Sequence, residues 1–151
     1  MKNNKEIKTK IFCDTADIKI IKQLSKKTLV NGFTTNPSLM KLSGAKDYKN
    51  YSKKIIKICK KKSISLEVIA DDFIQMEKQA YKIKSWGSNV YVKIPVTNSK
   101  GYSSAKIIKR LSDNDLKLNI TAVYTLKQVK KIIKCVNKNS HTIISIFSGR
   151  M

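Results

Sequence analysis

Carboxylates are scarce in this sequence. Its 151 residues include 10 Asp and Glu against 32 Lys and Arg, a formal net charge of +22. Arginine is scarcer still, at Arg110 and Arg150 alone, which leaves thirty lysines. With 21 isoleucines and 11 asparagines beside them, the composition is skewed toward three residue types. The charge therefore reads as background rather than as a match to one acidic partner. Such a surface attracts nucleic acid and anionic lipid non-specifically. The lysines are spread over every helical segment without interleaved aromatics or a binding motif, so no specific nucleic-acid partner is expected.

His141 is the only histidine, and Cys13, Cys59 and Cys135 stand more than forty residues apart. That spacing fits neither a disulfide framework nor a zinc site and leaves the cysteines structural. No apolar run approaches the roughly 18 residues of a membrane span. Met1 to Glu6 lead into a mixed segment rather than the apolar core of a signal peptide. A reduced, cytoplasmic, metal-free protein with no membrane partner is the expectation. Two prolines, 41% hydrophobic and 28% charged residues describe a folded chain with apolar material for one core.

Apolar periodicity alternates between short runs and helical spacing. Strand starts fall near residues 11, 30, 64, 90, 117 and 142, mostly about 25 residues apart. Between them, helical stripes are expected at Ile18-Ile21-Leu24, Tyr48-Tyr51-Ile55-Ile58-Cys59, Phe73-Met76-Ala80-Ile83, Ala105-Ile108-Leu111 and Val129-Ile132-Ile133-Val136. This alternation means parallel βαβ units. No Gly-rich loop follows the first strand, which argues against dinucleotide binding. The remaining common answer is a (β/α)8 barrel, normally about 250 residues. Six strands cannot close it, so the expected fold is one incomplete barrel domain over residues 1–151, missing its C-terminal quarter.

In a strand covered on both faces a polar side chain needs a reason. Nearly every strand here carries one near its C-terminal end, where such barrels place their sites. Alternate residues share a face, which pairs Phe12 with Asp14, Thr34 with Asn36, Ser65 with Glu67, Tyr91 with Lys93, Asn119 with Thr121 and Ser145 with Phe147. Lys93 is the sharpest, enclosed by Val90, Val92 and Ile94 with Pro95 beyond. Desolvation favours the neutral amine, the form that attacks a carbonyl to make a Schiff base. The alternative is a strand-end lysine snorkelling to solvent. Glu67 reads as a general acid/base or as a partner that keeps a lysine charged. Asp14 reads as a proton-transfer group or as the N-cap of the helix starting near Asp17. Thr34-Thr35-Asn36-Pro37-Ser38 has the form of a turn and helix start.

At these residues the chain resembles the transaldolase family, in its short, fructose-6-phosphate-aldolase-like branch. Ile11 to Asp17 look like the family's first-strand motif, and Gly32-Phe33-Thr34-Thr35-Asn36-Pro37-Ser38-Leu39-Met40 is similar to its best-known signature. Val92-Lys93-Ile94-Pro95-Val96-Thr97 resembles the Schiff-base lysine segment. Asn119-Ile120-Thr121 and Ser145 to Arg150 resemble the fifth- and sixth-strand motifs. The resemblance implies a cofactor-free transferase of the pentose phosphate pathway. Such an enzyme moves a dihydroxyacetone unit between sedoheptulose 7-phosphate and glyceraldehyde 3-phosphate on Lys93. It further implies that Glu67 handles protons through a water held by Thr121, and that Asp14 transfers protons at the donor hydroxyls. Thr34, Asn36, Asn119, Ser145 and Phe147 would line the sugar site, and Arg150 would hold the phosphate. A homo-oligomer, a decamer in the short branch, is implied as well.

Related fructose-6-phosphate aldolases carry Gln in place of Glu67 and Tyr in place of Phe147, so both positions favour transaldolase. Phe33 and Ile146 depart from the family pattern, where a smaller or branched residue and a proline are usual. Strands seven and eight, with a serine and basic phosphate contacts, are not seen. A second reading is thus a catalytically inactive fragment whose apolar edges near Ile11 and Ile143 associate with other chains.

Overall fold

The computed structural model describes residues 8–149. Its elements run β1 (Ile11–Asp14), α1 (Ile18–Leu24), β2 (Val30–Thr34), α2 (Pro37–Leu42), α3 (Tyr48–Cys59) and β3 (Ser63–Glu67). They continue as α4 (Phe73–Lys84), β4 (Val90–Pro95), α5 (Ala105–Asp113), β5 (Leu118–Val123), α6 (Leu126–Cys135) and β6 (Thr142–Ile146). The strands follow one another in sheet order from β1 to β6, and the β1–β2, β4–β5 and β5–β6 pairs are parallel. Sequential parallel strands joined by helices are the topology of a (β/α)8 barrel, incomplete here with six strands among the described residues. Every strand begins within one residue of its expected start. No helix among the described residues is long and apolar enough to cross a membrane.

Between Ile64 and Ser65 the chain divides into two compact units. In the first, α1 and α2 both pack on α3. Ile21, Val30, Phe33, Met40, Ile55 and Cys59 form its core. Phe33, the bulky departure from the family pattern, is fully buried there. The Tyr51 hydroxyl lies 3.0 Å from both the Ala16 and Ser43 carbonyls and shares its one proton between them, tying α3 to the loop after β1 and to the end of α2. Gly32 lies opposite Phe12 in the β1–β2 ladder.

The second unit is built on β4 and β5, whose Val90, Val92, Ile94, Leu118, Ile120 and Val123 are buried. Met76, Ala80 and Ile83 are buried on α4, which packs on β4, and Ile107, Ile108 and Leu111 on α5, which packs on α4 and α6. Arg110 donates to both Glu77 oxygens, at 3.0 and 2.6 Å, and clamps α5 to α4. In α6 only Ile132 is buried, and Ile133, expected on the same stripe, is 59% exposed. Adjacent helical residues point about 100° apart, so one apolar neighbour reaches α5 and the other turns to solvent.

Helix starts account for much of the short-chain polar inventory. Asp17, Asn36, Asp47, Asp72 and Thr125 each accept backbone N–H groups as N-caps of α1, α2, α3, α4 and α6. Thr125 and Gln128 complete a reciprocal capping box. Asp17, and not Asp14, caps α1, with its carboxylate 2.7 Å from the Lys19 amide and 3.0 Å from that of Ile20. The cap reading of Asp14 is thereby corrected.

A methyl group at Gly32 would run into Ser63 Oγ and lie 2.7 Å from the Phe12 ring. Gly32→Ala is therefore expected to lower unfolding free energy by about 1–3 kcal/mol. Urea denaturation reads this directly, and an unchanged midpoint would show that the ring yields without strain.

Candidate active site

Ten carboxylates less Glu6, which lies outside the described residues, leave nine to place. Asp17, Asp47 and Asp72 are caps, while Glu77 and Asp113 pair with Arg110 and Lys109. Asp71 accepts from the Ser99 backbone and hydroxyl, both at 2.7 Å, and Asp115 sits in a turn with φ 56°. Asp14 and Glu67 remain, each at the last residue of a strand. They are the two acids singled out by sequence position.

In the first unit, Asp14 and Thr34 are register partners of β1 and β2, and the Thr34 hydroxyl donates to Asp14 Oδ1 at 2.7 Å. Asn36 follows at the start of α2, where its Oδ1 accepts from the Leu39 amide at 2.8 Å. Pro37 occupies the first helical position, where its missing N–H is not needed. The cap engages the Asn36 side-chain oxygen, and its two amide N–H groups are donors.

In the second unit, Lys93 is 6% exposed in the middle of β4, flanked by the fully buried Val92 and Ile94. Snorkelling is thus not what this lysine does. Its Nζ lies 3.6 Å from Glu67 Oε2 on β3, whose side chain is 20% exposed. Lys93 and Asn119 are register partners of β4 and β5, so their side chains leave the sheet on one face. Asn119 Nδ2 donates to Ser65 Oγ at 3.0 Å, and Ser145 Oγ donates to Asn119 Oδ1 at 2.7 Å. A hydrogen-bonded row thus runs from β6 through β5 to β3.

Thr121 continues the face of Asn119, and its Oγ1 is buried with no hydrogen-bond partner among the described residues. Such a group is an exception to the usual satisfaction of buried polar atoms. Next to it Ala122 has φ 56°, at a bulge between Ile120 and Val123 in the β5–β6 ladder. Bulges and left-handed non-glycine residues beside polar side chains re-aim them at functional sites. Phe147 is held by its amide to Val123 O at 2.9 Å and meets the Tyr124 ring edge-on, centroids 5.5 Å apart. Arg150 lies outside the described residues.

Residue-type reasoning did not select Ser65 or Ala122. Ser65 had one signal, its place two residues before Glu67 on a common strand face. Ala122 had none. Burial pushes the Cys59 thiol up to about 12 and also raises that of Cys135, which keeps both protonated near neutrality, as structural residues would be. Among the described residues no three His, Cys, Asp or Glu side chains cluster as a metal-ion site.

The transaldolase/fructose-6-phosphate aldolase family matches residues 11–151. The chain belongs to this family. It is 38% identical over 119 residues to a probable transaldolase of Dehalococcoides mccartyi, covering 79% of this chain and 53% of that protein. Probable transaldolases of Brucella anthropi and Nitrosopumilus maritimus are 38% and 35% identical over 142 residues. Both alignments cover 94% of this chain, with 61% and 60% of the respective relatives. The chain thus spans a little over half to three-fifths of these curated relatives.

The Asp71–Ser99 contact joins the loop after β3 to the loop after β4, beside the ends of the strands bearing Glu67 and Lys93. The Ser99 backbone N–H and hydroxyl hold the Asp71 carboxyl below its ordinary range. A depressed folded-state value stabilises above the unfolded pKa and is lost as pH falls through the folded one. Carboxyl NMR titration should place Asp71 below a typical aspartate. Ser99→Ala, which keeps the backbone donor, should raise it only part of the way. A midpoint unmoved by Ser99→Ala would show that the hydroxyl contributes nothing.

Proposed function

We propose that this protein acts as a transaldolase, with Lys93 as the reacting amine. The observation that carries the reading is the pairing of a buried strand lysine with one of the two acids left at strand ends. The names of its relatives, probable transaldolases, and the Glu67 and Phe147 positions support transferase over aldolase chemistry. Neutral Lys93 adds to the ketone of sedoheptulose 7-phosphate, or of fructose 6-phosphate in reverse, and the carbinolamine loses water to give an imine. Deprotonation of the C4 hydroxyl breaks the C3–C4 bond. An aldose phosphate leaves, and the electron pair delocalises onto the imine nitrogen as an enamine. The enamine carbon adds to the aldehyde of glyceraldehyde 3-phosphate, and water releases the new ketose and restores the amine.

Each neighbouring group has a task in this sequence. Glu67, close to Lys93 Nζ, moves protons at that nitrogen through a water, and the unpaired Thr121 hydroxyl supplies that water with a partner. Asn119 and Ser145 bind hydroxyls of the three-carbon unit, and Phe147 supplies an apolar wall. By the family resemblance, Asp14 transfers the C4 hydroxyl proton, Thr34 orients it, Asn36 binds a donor hydroxyl and Arg150 binds phosphate. Sugar phosphates are the partners, no cofactor takes part, the setting is cytoplasmic, and the assembly is a homo-oligomer.

Two kinetic outcomes test the proposal. Transfer from fructose 6-phosphate to an aldehyde acceptor should run much faster than release of free dihydroxyacetone. Comparable rates would favour the aldolase reading. Glu67→Gln should lower the transfer kcat by about a hundredfold or more with a smaller change in KM. Full activity in that variant would remove Glu67 from the mechanism.

A further inference from the structure

The row Ser145–Asn119–Ser65 contains more than the hydroxyl-binding groups of the proposed reaction. Asn119 is 1% exposed, as is Ser65, and the two are joined across β3 and β5 by the 3.0 Å bond from Nδ2 to Oγ. A side-chain amide has one acceptor oxygen and two donor hydrogens. Here the oxygen receives the Ser145 proton, and one hydrogen goes to Ser65. The second hydrogen forms no bond among the described residues and belongs to the group that shares a sheet face with Lys93.

We propose that Ser65 is a positioning residue that fixes the orientation of the Asn119 amide and thereby aims its second N–H at whatever is bound to Lys93. Without Ser65 the amide keeps only the bond from Ser145. A carboxamide held at one end rotates, and a flipped amide presents an acceptor where the ligand meets a donor. The row also sets polarity. Because the Ser145 proton is committed to Asn119, Ser145 meets a ligand as an acceptor, so the group beside it must be a donor such as a hydroxyl. A phosphate or ionised carboxylate beside Ser145 Oγ would set acceptor against acceptor.

This inference rests on the transaldolase reading for its catalytic consequence, but the contact itself can be tested without turnover. In 15N-labelled protein, the Asn119 side-chain NH2 signal is assigned by its loss in Asn119→Asp. Its solvent exchange is then compared in wild type, Ser65→Ala and Ser65→Thr. Exchange should be about tenfold or more faster in Ser65→Ala and close to wild type in Ser65→Thr, which retains a hydroxyl. In the transfer assay, Ser65→Ala should lower kcat by about tenfold or more with KM changed less than about threefold, and Ser65→Thr should recover most of it. If Ser65→Ala fails to fold, Ser65→Cys, with a weaker acceptor of similar shape, is read in the same way. Unchanged exchange, or faster exchange with unchanged kcat, overturns the positioning role while leaving the transaldolase reading intact. A wild-type protein without transfer activity overturns that reading, and the exchange comparison then still decides whether Ser65 holds Asn119.

Discussion

A lysine amine cannot be placed between Val92 and Ile94 in a buried strand without partners. Removing an ionisable group from water is costly unless charge and hydrogen bonds compensate. The polar residues around β4 answer that constraint. Glu67 supplies charge from β3, Asn119 supplies an amide from the matching position on β5, and Ser65 and Ser145 hold that amide from either side. The apolar remainder of β4 and β5 is buried around it. Each neighbouring strand thus contributes to one face what a single buried amine demands.

The rest of the acid inventory shows the same economy from the other side. In a chain of net charge +22, helix caps, two ion pairs and one loop tie occupy most carboxylates. The two that stay at strand ends belong to the family's reaction by resemblance. Lysine excess does not obscure the site, because the other lysines among the described residues lie on helices and in loops, and Lys93 lies in the sheet.

Much of this was legible in the residues. Strand positions followed from short apolar runs, and alternation grouped Asn119 with Thr121, while the pairing of Lys93 with Asn119 is visible only in the strand register. The short helix α2 was legible only as a start, since a six-residue helix burying Met40 alone has no stripe to read. Asp14 and Asp17 are three residues apart, and spacing could not tell the cap from the strand-end acid. Backbone register decides it. Ser65 was legible only as a polar residue on the face of Glu67, because a serine gains its meaning from its partner, and Asn119 lies 54 residues away. The left-handed turn at Ala122 was hidden, since nothing about alanine marks a positive φ.

We propose that one amine reacts because, among the lysines of the described residues, it alone is set into the sheet beside a strand-end acid. Borohydride reduction in the presence of fructose 6-phosphate, followed by peptide mapping, addresses that claim directly. A single dihydroxyacetone-derived unit is expected on the peptide containing Lys93 and should be absent in Lys93→Ala. Label on other lysines at comparable yield, or label that persists in Lys93→Ala, would contradict it.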